Sequence, residues 1–213
     1  MPIASRGGRQ HLIGAKSPTR IGAVVLAAGA STRLGFPKQL IVHEGEPLVR
    51  RIAKAAIEAG ANPVVVVLGA NAETVATALS GLERVRTVVN QQWSMGLASS
   101  LVAGLAVVLE DASCEGVLIT LADQPLVDAA ALRRLISAFG GERRIVASSY
   151  DDTMGVPALF AREYFADLMR LTGDAGAGSW LRSRPSEVTC VPLDVAAVDI
   201  DTVSDTAHLH LPS

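Results

Sequence analysis

An α/β fold, with a mainly parallel sheet flanked by helices on both faces, is predicted by three observations. From Ile21 onward, short aliphatic runs alternate with longer segments of helical period. Several helical segments open on Pro, Asn or Asp and close near Gly, as helix ends do. The chain has 213 residues and is 49% hydrophobic, which suits one such domain with a sizeable core and would be cramped for two.

The elements follow in order. A buried strand over 23–26 breaks into a small-residue loop. A helix over 47–59 gathers Val49, Ile52, Ala53, Ala56 and Ile57 on one face. Strands over 63–68 and 86–89 bracket a helix over 71–79, and a helix over 96–110 leads to a strand over 116–120. A helix over 128–139 and a strand over 144–148 come next. Helices over 162–170 and 176–182 precede a last strand over 188–192. No linker-like stretch or internal repeat interrupts this pattern. In open sheets of this kind ligands collect beyond the carboxyl ends of the strands, so the residues after each strand are the first candidates.

The first such segment, over 26–38, reads Leu-Ala-Ala-Gly-Ala-Ser-Thr-Arg-Leu-Gly-Phe-Pro-Lys. Ala27, Ala28, Gly29 and Ala30 let backbone N–H groups approach an anion closely, and Ser31 and Thr32 add hydroxyl donors. Arg33 and Lys38 bring two cations, whose mutual repulsion a bound triphosphate would relieve. The spacing matches neither a P-loop nor a Gly-x-Gly-x-x-Gly dinucleotide turn. A turn kept small only for tight packing is the competing reading. The later strand ends add Gly69, the stretch Asn90 to Ser100, and Asp123, which follows an uninterrupted Val-Leu-Ile-Thr-Leu-Ala run. A carboxylate beside phosphates is reconciled with them by a divalent cation, and magnesium favours one or two carboxylates plus phosphate oxygens. Asp199 and Asp201 offer a second carboxylate and, by alternation, share a face. Asp123 also fits a helix N-cap or turn, and Asp174, Arg182 and Arg184 fit either a substrate contact or a solvated surface.

Composition narrows the function. Aromatic content of 4% and a net charge of −2 argue against a nucleic-acid surface or a basic membrane-binding face. Cys114 and Cys190 have no paired spacing, so they read as isolated thiols of a reducing compartment, and the expected location is cytoplasmic. No apolar stretch reaches the roughly 20 residues that span a bilayer, and no secretory h-region is found. Residues 1–20 carry Arg6, Arg9, Lys16 and Arg20 with no acidic residue and are expected to form a mobile tail. The pair His208 and His210 is too few ligands for a zinc site.

Taken together, the 26–38 loop and several later segments resemble the nucleotidyltransferases that modify molybdopterin. Those segments are Asn90-x-x-Trp93-x-x-Gly96-x-x-Ser99-Ser100, Ala122-Asp123-Gln124-Pro125, Gly155-x-Pro157, Gly173-Asp174-x-Gly176-Ala177 and Asp199-Ile200-Asp201-Thr202. The likeness is to the molybdenum cofactor cytidylyltransferases of the MobA-like NTP transferase superfamily. It covers nearly all residues after Ile21. The resemblance implies a single Rossmann-like nucleotidyltransferase domain over 21–213 that transfers CMP from CTP to molybdenum-bearing molybdopterin and releases pyrophosphate. It implies catalytic roles for Arg33, Lys38 and Asp123 and a Mg2+ ion held by Asp123 and Asp201. It implies nucleotide contacts from Ala27 through Arg33, from Lys38, and from Gly69, Asn90, Gly96 and Ser100, the last four of which equally suit capping and turns. Ala28 matches the Ala-Ala-Gly form of pyrimidine-transferring relatives. A molybdenum hydroxylase or its chaperone is the implied partner. Many such cytidylyltransferases carry Gly-His-Pro where this chain has Gly155-Val156-Pro157, a departure that bears on the acceptor. A sugar phosphate or other phosphorylated metabolite as acceptor, and a non-catalytic molybdopterin carrier, are the alternatives.

Overall fold

The structure, a computed structural model, describes residues 19–202 and 204–205. The expected tail falls largely outside those residues, as do His208 and His210. Arg20 does not belong to a tail: its guanidinium pairs with Asp111 at 2.9 Å and its carbonyl accepts from Glu115 N–H at 2.8 Å.

In chain order the elements are β1 (Ile21–Ala27), a small hairpin of β2 (Val42–His43) and β3 (Glu46–Pro47), α1 (Leu48–Glu58), β4 (Val64–Leu68), α2 (Ala72–Ala78) and β5 (Val85–Val89). There follow α3 (Leu97–Leu109), β6 (Gly116–Leu121), α4 (Ala129–Ala138), β7 (Ile145–Tyr150), β8 (Thr153–Ala161), α5 (Phe165–Leu168), α6 (Ala177–Arg182) and β9 (Thr189–Pro192). The main sheet has seven strands in the order β5-β4-β1-β6-β8-β7-β9. All its neighbours run parallel except around β8, which is antiparallel to both β6 and β7. The mainly parallel α/β fold expected from the sequence is therefore observed.

Period-2 alternation along β1 divides the core. Ala23, Val25 and Ala27 pack with α1 and α4, while Val24, Leu26 and Ala28 pack with α3 and α6. Burial on both faces is why the run reads as continuous apolar sequence rather than as an amphipathic strand. Helix α4 starts on a true cap, Asp128 Oδ1 accepting from Ala131 N–H at 2.8 Å. The segment expected to be one helix over 162–170 is instead a 3-10 turn followed by the four-residue α5.

Strand β8 was not expected, because Gly155 and Pro157 lie inside it and proline is excluded from regular ladders. The sheet accommodates them with a register shift: Ala147 pairs with Ala158, but Ser148 pairs with Gly155. Val156 and Pro157 thus occupy the irregular stretch, where the missing proline N–H leaves no ladder bond unmade.

Gly96 shows what one residue contributes to this frame. Its φ is +104°, and a Cβ there would run into the Gly173 carbonyl, which accepts from Ala98 N–H at 3.0 Å. Gly96→Ala is expected to destabilise the fold by about 2–4 kcal/mol, from left-handed strain plus the clash. Urea denaturation measures it, and a midpoint equal to wild type would show that the 173–174 turn yields freely.

Candidate nucleotide site

Because β1 and β6 are parallel neighbours, their carboxyl ends deliver the glycine loop and Asp123 to one rim of the sheet. Lys38 Nζ stands 2.6 Å from Asp123 Oδ2 and 2.8 Å from Asp201 Oδ1, and Arg33 Nη1 stands 3.6 Å from Asp201 Oδ2. The cations expected to await a triphosphate are thus already neutralised by aspartates from distant parts of the chain. Burial alone would lower the Lys38 pKa, but Asp123 and Asp201 outweigh it, and the value stands above the ordinary 10.5. A raised lysine lends stability that is complete below the unfolded value and is lost only as pH rises through the folded one. That contribution is therefore constant across the neutral range.

The loop is held from inside. Ser31, at φ +54°, accepts Lys38 N–H on its hydroxyl at 3.0 Å and accepts Leu34 and Gly35 N–H groups on its carbonyl. Leu34 is buried with Leu48 and Ile200, which anchors the outer turn. Gln39, which sequence reasoning missed, is only 2% exposed and donates to the carbonyls of Ala27 and Gly29 at 3.0 and 2.8 Å. It fixes the backbone on either side of Ala28. Below the loop, Gly69 abuts Ala28 and Trp93 so closely that no side chain fits there.

Asp123 is positioned by its neighbours. Its carbonyl accepts Ile200 N–H at 3.0 Å, which sets the 199–201 segment beside it. Gln124, buried as well, donates to Val156 O at 3.0 Å and Ala196 O at 2.8 Å, tying β8 and the C-terminal segment to the same point. Ile200 is fully buried, so Asp199 and Asp201 both face the cleft as alternation predicts.

Two hollows result. A cavity of about 530 Å³ is lined by Ala27 to Ala30, Lys38, Gln39, Trp93, Gly96, Ser100 and Asp123, with Asp174, Asp199 and Asp201 opposite. A smaller one of about 220 Å³ is lined by Gly29, Ser31, Thr32, Arg33, Lys38 and Asp201. Of the predicted site residues, Gly69 and Asn90 line neither. Asn90 is 7% exposed and its amide is spent on the 90–100 turn, donating to Ser99 and Ser100 hydroxyls and accepting from Gln92 N–H. Arg184 is stacked on Trp180 at 4.3 Å, away from the cleft.

The donor set fits a hard divalent cation. Asp123 Oδ1 is buried and has no hydrogen-bond partner, a free carboxylate oxygen facing no competing proton. Asp123, Asp199 and Asp201 outnumber Lys38 and Arg33, so an incoming triphosphate would add negative charge to a cluster already in excess. Among the described residues no group of three or more His, Cys, Asp or Glu encloses a metal position. A cation here would rest on two carboxylates and on phosphate oxygens.

Partial burial, then the charges of Asp123 and Asp201, raise the Asp199 pKa. A carboxyl raised by the fold stabilises it fully below the unfolded value, and that benefit is lost as pH rises through the folded one. Asp199→Asn is therefore expected to raise the melting temperature at pH 8 and leave it unchanged at pH 3. A shift of equal size at both pH values would trace the effect to packing.

The MobA-like NTP transferase domain matches residues 23–203. The chain is 33% identical over 204 residues to nicotine blue oxidoreductase of Paenarthrobacter nicotinovorans, covering 89% of this chain and 96% of that one. Rv0371c of Mycobacterium tuberculosis superposes with a TM-score of 0.77 at 35% identity, covering 91% and 98% of the two chains. The same protein has been solved in complex with manganese, with a TM-score of 0.73 at 33% identity over 90% and 98% of the chains. A nucleotidyl transferase from Methanothermobacter thermautotroptrophicus superposes with a TM-score of 0.75 at 26% identity, covering 89% and 95%. No helix among the described residues is long and apolar enough to cross a membrane. By sequence and by fold, the chain belongs to the MobA-like NTP transferase family.

Proposed function

We propose that the protein transfers a cytidylyl group from CTP to the terminal phosphate of a molybdopterin-type acceptor and releases pyrophosphate. The observation that carries this reading is the meeting of Lys38, Asp123 and Asp201 beside a loop of small residues at the ends of two parallel strands. Ala27 to Thr32 present backbone and hydroxyl donors to the triphosphate, and Arg33 and Lys38 stabilise the charge that grows on the departing pyrophosphate. Asp123 and Asp201 are the residues that would hold magnesium, which supplies Lewis-acid neutralisation of the phosphate oxygens when bound. A general base is not required, because the acceptor phosphate is already ionised near neutral pH and alignment does most of the work. That Rv0371c has been solved in complex with manganese supports a divalent ion in this reading. Ala28, in the Ala-Ala-Gly form, supports a pyrimidine.

Pyrophosphate release from CTP, GTP, UTP and ATP, tested against molybdopterin and a panel of sugar phosphates, decides the substrates. Turnover with CTP and molybdopterin is expected. Turnover confined to a sugar phosphate would replace the acceptor, and tight molybdopterin binding with no pyrophosphate from any nucleotide would establish a carrier.

One observation favours a second reading. The likeness to nicotine blue oxidoreductase spans 96% of that protein, so a hydride or electron transfer on the same scaffold competes with group transfer. Oxidation of NADH or NADPH in the presence of a quinoid dye, with no pyrophosphate formed from any nucleotide, would establish it.

A further inference from the structure

The main sheet ends on β5 at one side and on β9 at the other, and the two edges are built differently. Leu193 N–H donates to the Ser149 carbonyl at 2.9 Å, so by the alternation of a parallel ladder Val191 and Thr189 also face β7, while Cys190 and Pro192 face outward. Pro192 has no N–H to offer there, and its carbonyl already accepts from Arg134 at 2.7 Å. A proline at an outward position, with its acceptor spent, closes an edge to further strands.

Strand β5 carries no such device. Asn90 N–H donates to the Leu68 carbonyl at 2.8 Å, so Val88 and Arg86 face β4 as well, and Val85, Thr87 and Val89 turn their backbone groups outward. Val85 N–H is satisfied by the Leu82 carbonyl at 3.0 Å. That leaves the N–H groups of Thr87 and Val89, and the carbonyls of all three residues, along a regular edge without proline, glycine or bulge. The side chains of Val85, Thr87 and Val89 share one face of the sheet, and Val89 is 47% exposed on it. One feature favours an edge that is merely solvated: Arg86 is a charge of the sort that discourages pairing. That charge is answered within the chain, because Arg86 Nη2 stands 2.7 Å from Glu110 Oε2.

The edge is complementary to itself. In an antiparallel pairing with its two-fold axis at Thr87, that residue meets Thr87 of a second copy, and Val85 meets Val89 on either side of the axis. All three are outward positions, so they form the hydrogen-bonded pairs of the new ladder, with about four bonds across the seam once Val85 N–H is set aside. Each exposed Val89 is then covered by a valine, and such β-branched cross-strand pairs are favourable. On the other face Arg86 lies opposite Val88, and each arginine brings its own Glu110, so positive and negative charges gather at the seam in equal number. An axis at Arg86 would set two guanidinium groups directly opposite one another. An axis at Val88 would leave Val85 opposite Gln91, past the end of the strand.

We propose that the β5 edge is a homodimer interface, to which a second copy adds its own β5 in antiparallel fashion about an axis at Thr87. Main-chain hydrogen bonds supply most of the affinity, as in other strand additions, and the small seam makes the association weak and reversible. The junction reverses the strand direction, so the two clefts open on opposite rims of the joined sheet and both stay accessible. The proposal does not depend on which reaction the cleft performs.

Sedimentation equilibrium of the full chain from about 1 μM to about 1 mM is expected to show a reversible monomer–dimer equilibrium. Thr87→Pro deletes an outward N–H that β4 does not use, a change that edge strands tolerate. It is expected to raise the dimer dissociation constant by about tenfold or more, with an unchanged far-ultraviolet circular dichroism spectrum. Disulfide trapping reads the register separately, in a Cys190→Ser background because Cys190 is exposed and Cys114 is buried. A hydrogen-bonded antiparallel pair sets its Cα atoms about 5.5 Å apart, within disulfide reach. Thr87→Cys is therefore expected to give a covalent dimer under oxygen and copper phenanthroline, and Arg86→Cys and Val88→Cys far less of it. A wild-type chain that stays monomeric at the highest concentration overturns the proposal and leaves the edge to an extended segment of a different protein. Dimerisation of Thr87→Pro as strong as wild type overturns it too, as does trapping at position 86 or 88 as ready as at 87.

Discussion

Asp123→Asn is expected to lower kcat/KM for nucleotidyl transfer by about 10³-fold, roughly 4 kcal/mol of transition-state stabilisation, while leaving the fold in place. Asparagine keeps the size of the side chain and the backbone carbonyl that accepts from Ile200 N–H, so the 199–201 segment stays where it is. What it loses is the charge. In wild type one carboxylate oxygen holds Lys38 at 2.6 Å and the other is buried with no hydrogen-bond partner. The amide replaces one of them with a donor, which can neither accept from an ammonium nor ligate a cation. The measurement is steady-state pyrophosphate release with magnesium and with manganese, beside far-ultraviolet circular dichroism as the fold control. Activity within tenfold of wild type, with the same metal dependence, would remove Asp123 from the chemistry and with it the proposed role of this rim.

Lys38→Met should have two effects of opposite sign. Turnover should fall by about 10²- to 10³-fold, because the charge leaving with pyrophosphate loses one of its two cations. Affinity of the nucleotide-free protein for Mn2+ should rise, because the ammonium that bridges Asp123 and Asp201 no longer competes for their oxygens. The variant should also melt lower at pH 8 than wild type, since three carboxylates then face one another with only Arg33 nearby. That deficit should shrink as pH falls and Asp199, whose pKa is raised by burial and by its neighbouring carboxylates, protonates. Manganese binding followed by electron paramagnetic resonance separates this account from a general loss of structure. A variant that loses turnover and manganese affinity together would show that Lys38 builds the cation site instead of competing for it.

How much of this was legible in the sequence depends on how far each feature is local. The loop after β1 and Asp123 after β6 follow from strand ends, which are set by short apolar runs, whereas Asp199 and Asp201 flank the buried Ile200 in a stretch that forms no strand. Gln39 was not legible. It lies in a three-residue 3-10 turn, too short to show a period, and nothing in Pro-Lys-Gln-Leu says that the glutamine turns inward to two carbonyls. Gln124 stands in a motif the sequence shows, but its role was not legible, because its partners lie 32 and 72 residues away in the chain. Gly69 and Asn90 illustrate the converse: both stand at strand ends, yet one makes room for Ala28 and the other closes a turn. Strand β8 was hidden by Gly155 and Pro157, whose tolerance depends on a register shift that only the paired strand reveals.

That reversed strand has a consequence for how such a scaffold diversifies. Every other strand around the cleft arrives with its carboxyl end, whereas β8 arrives with its amino end, joined to β7 by the tight turn at Asp151 and Asp152. The two halves of the pocket are therefore encoded by separate stretches of the gene: the nucleotide half largely before residue 125, the opposite half after residue 145. On the proposed reading, transplanting one hairpin from a homologue would retune which molecule receives the nucleotide and leave the loop after β1 intact.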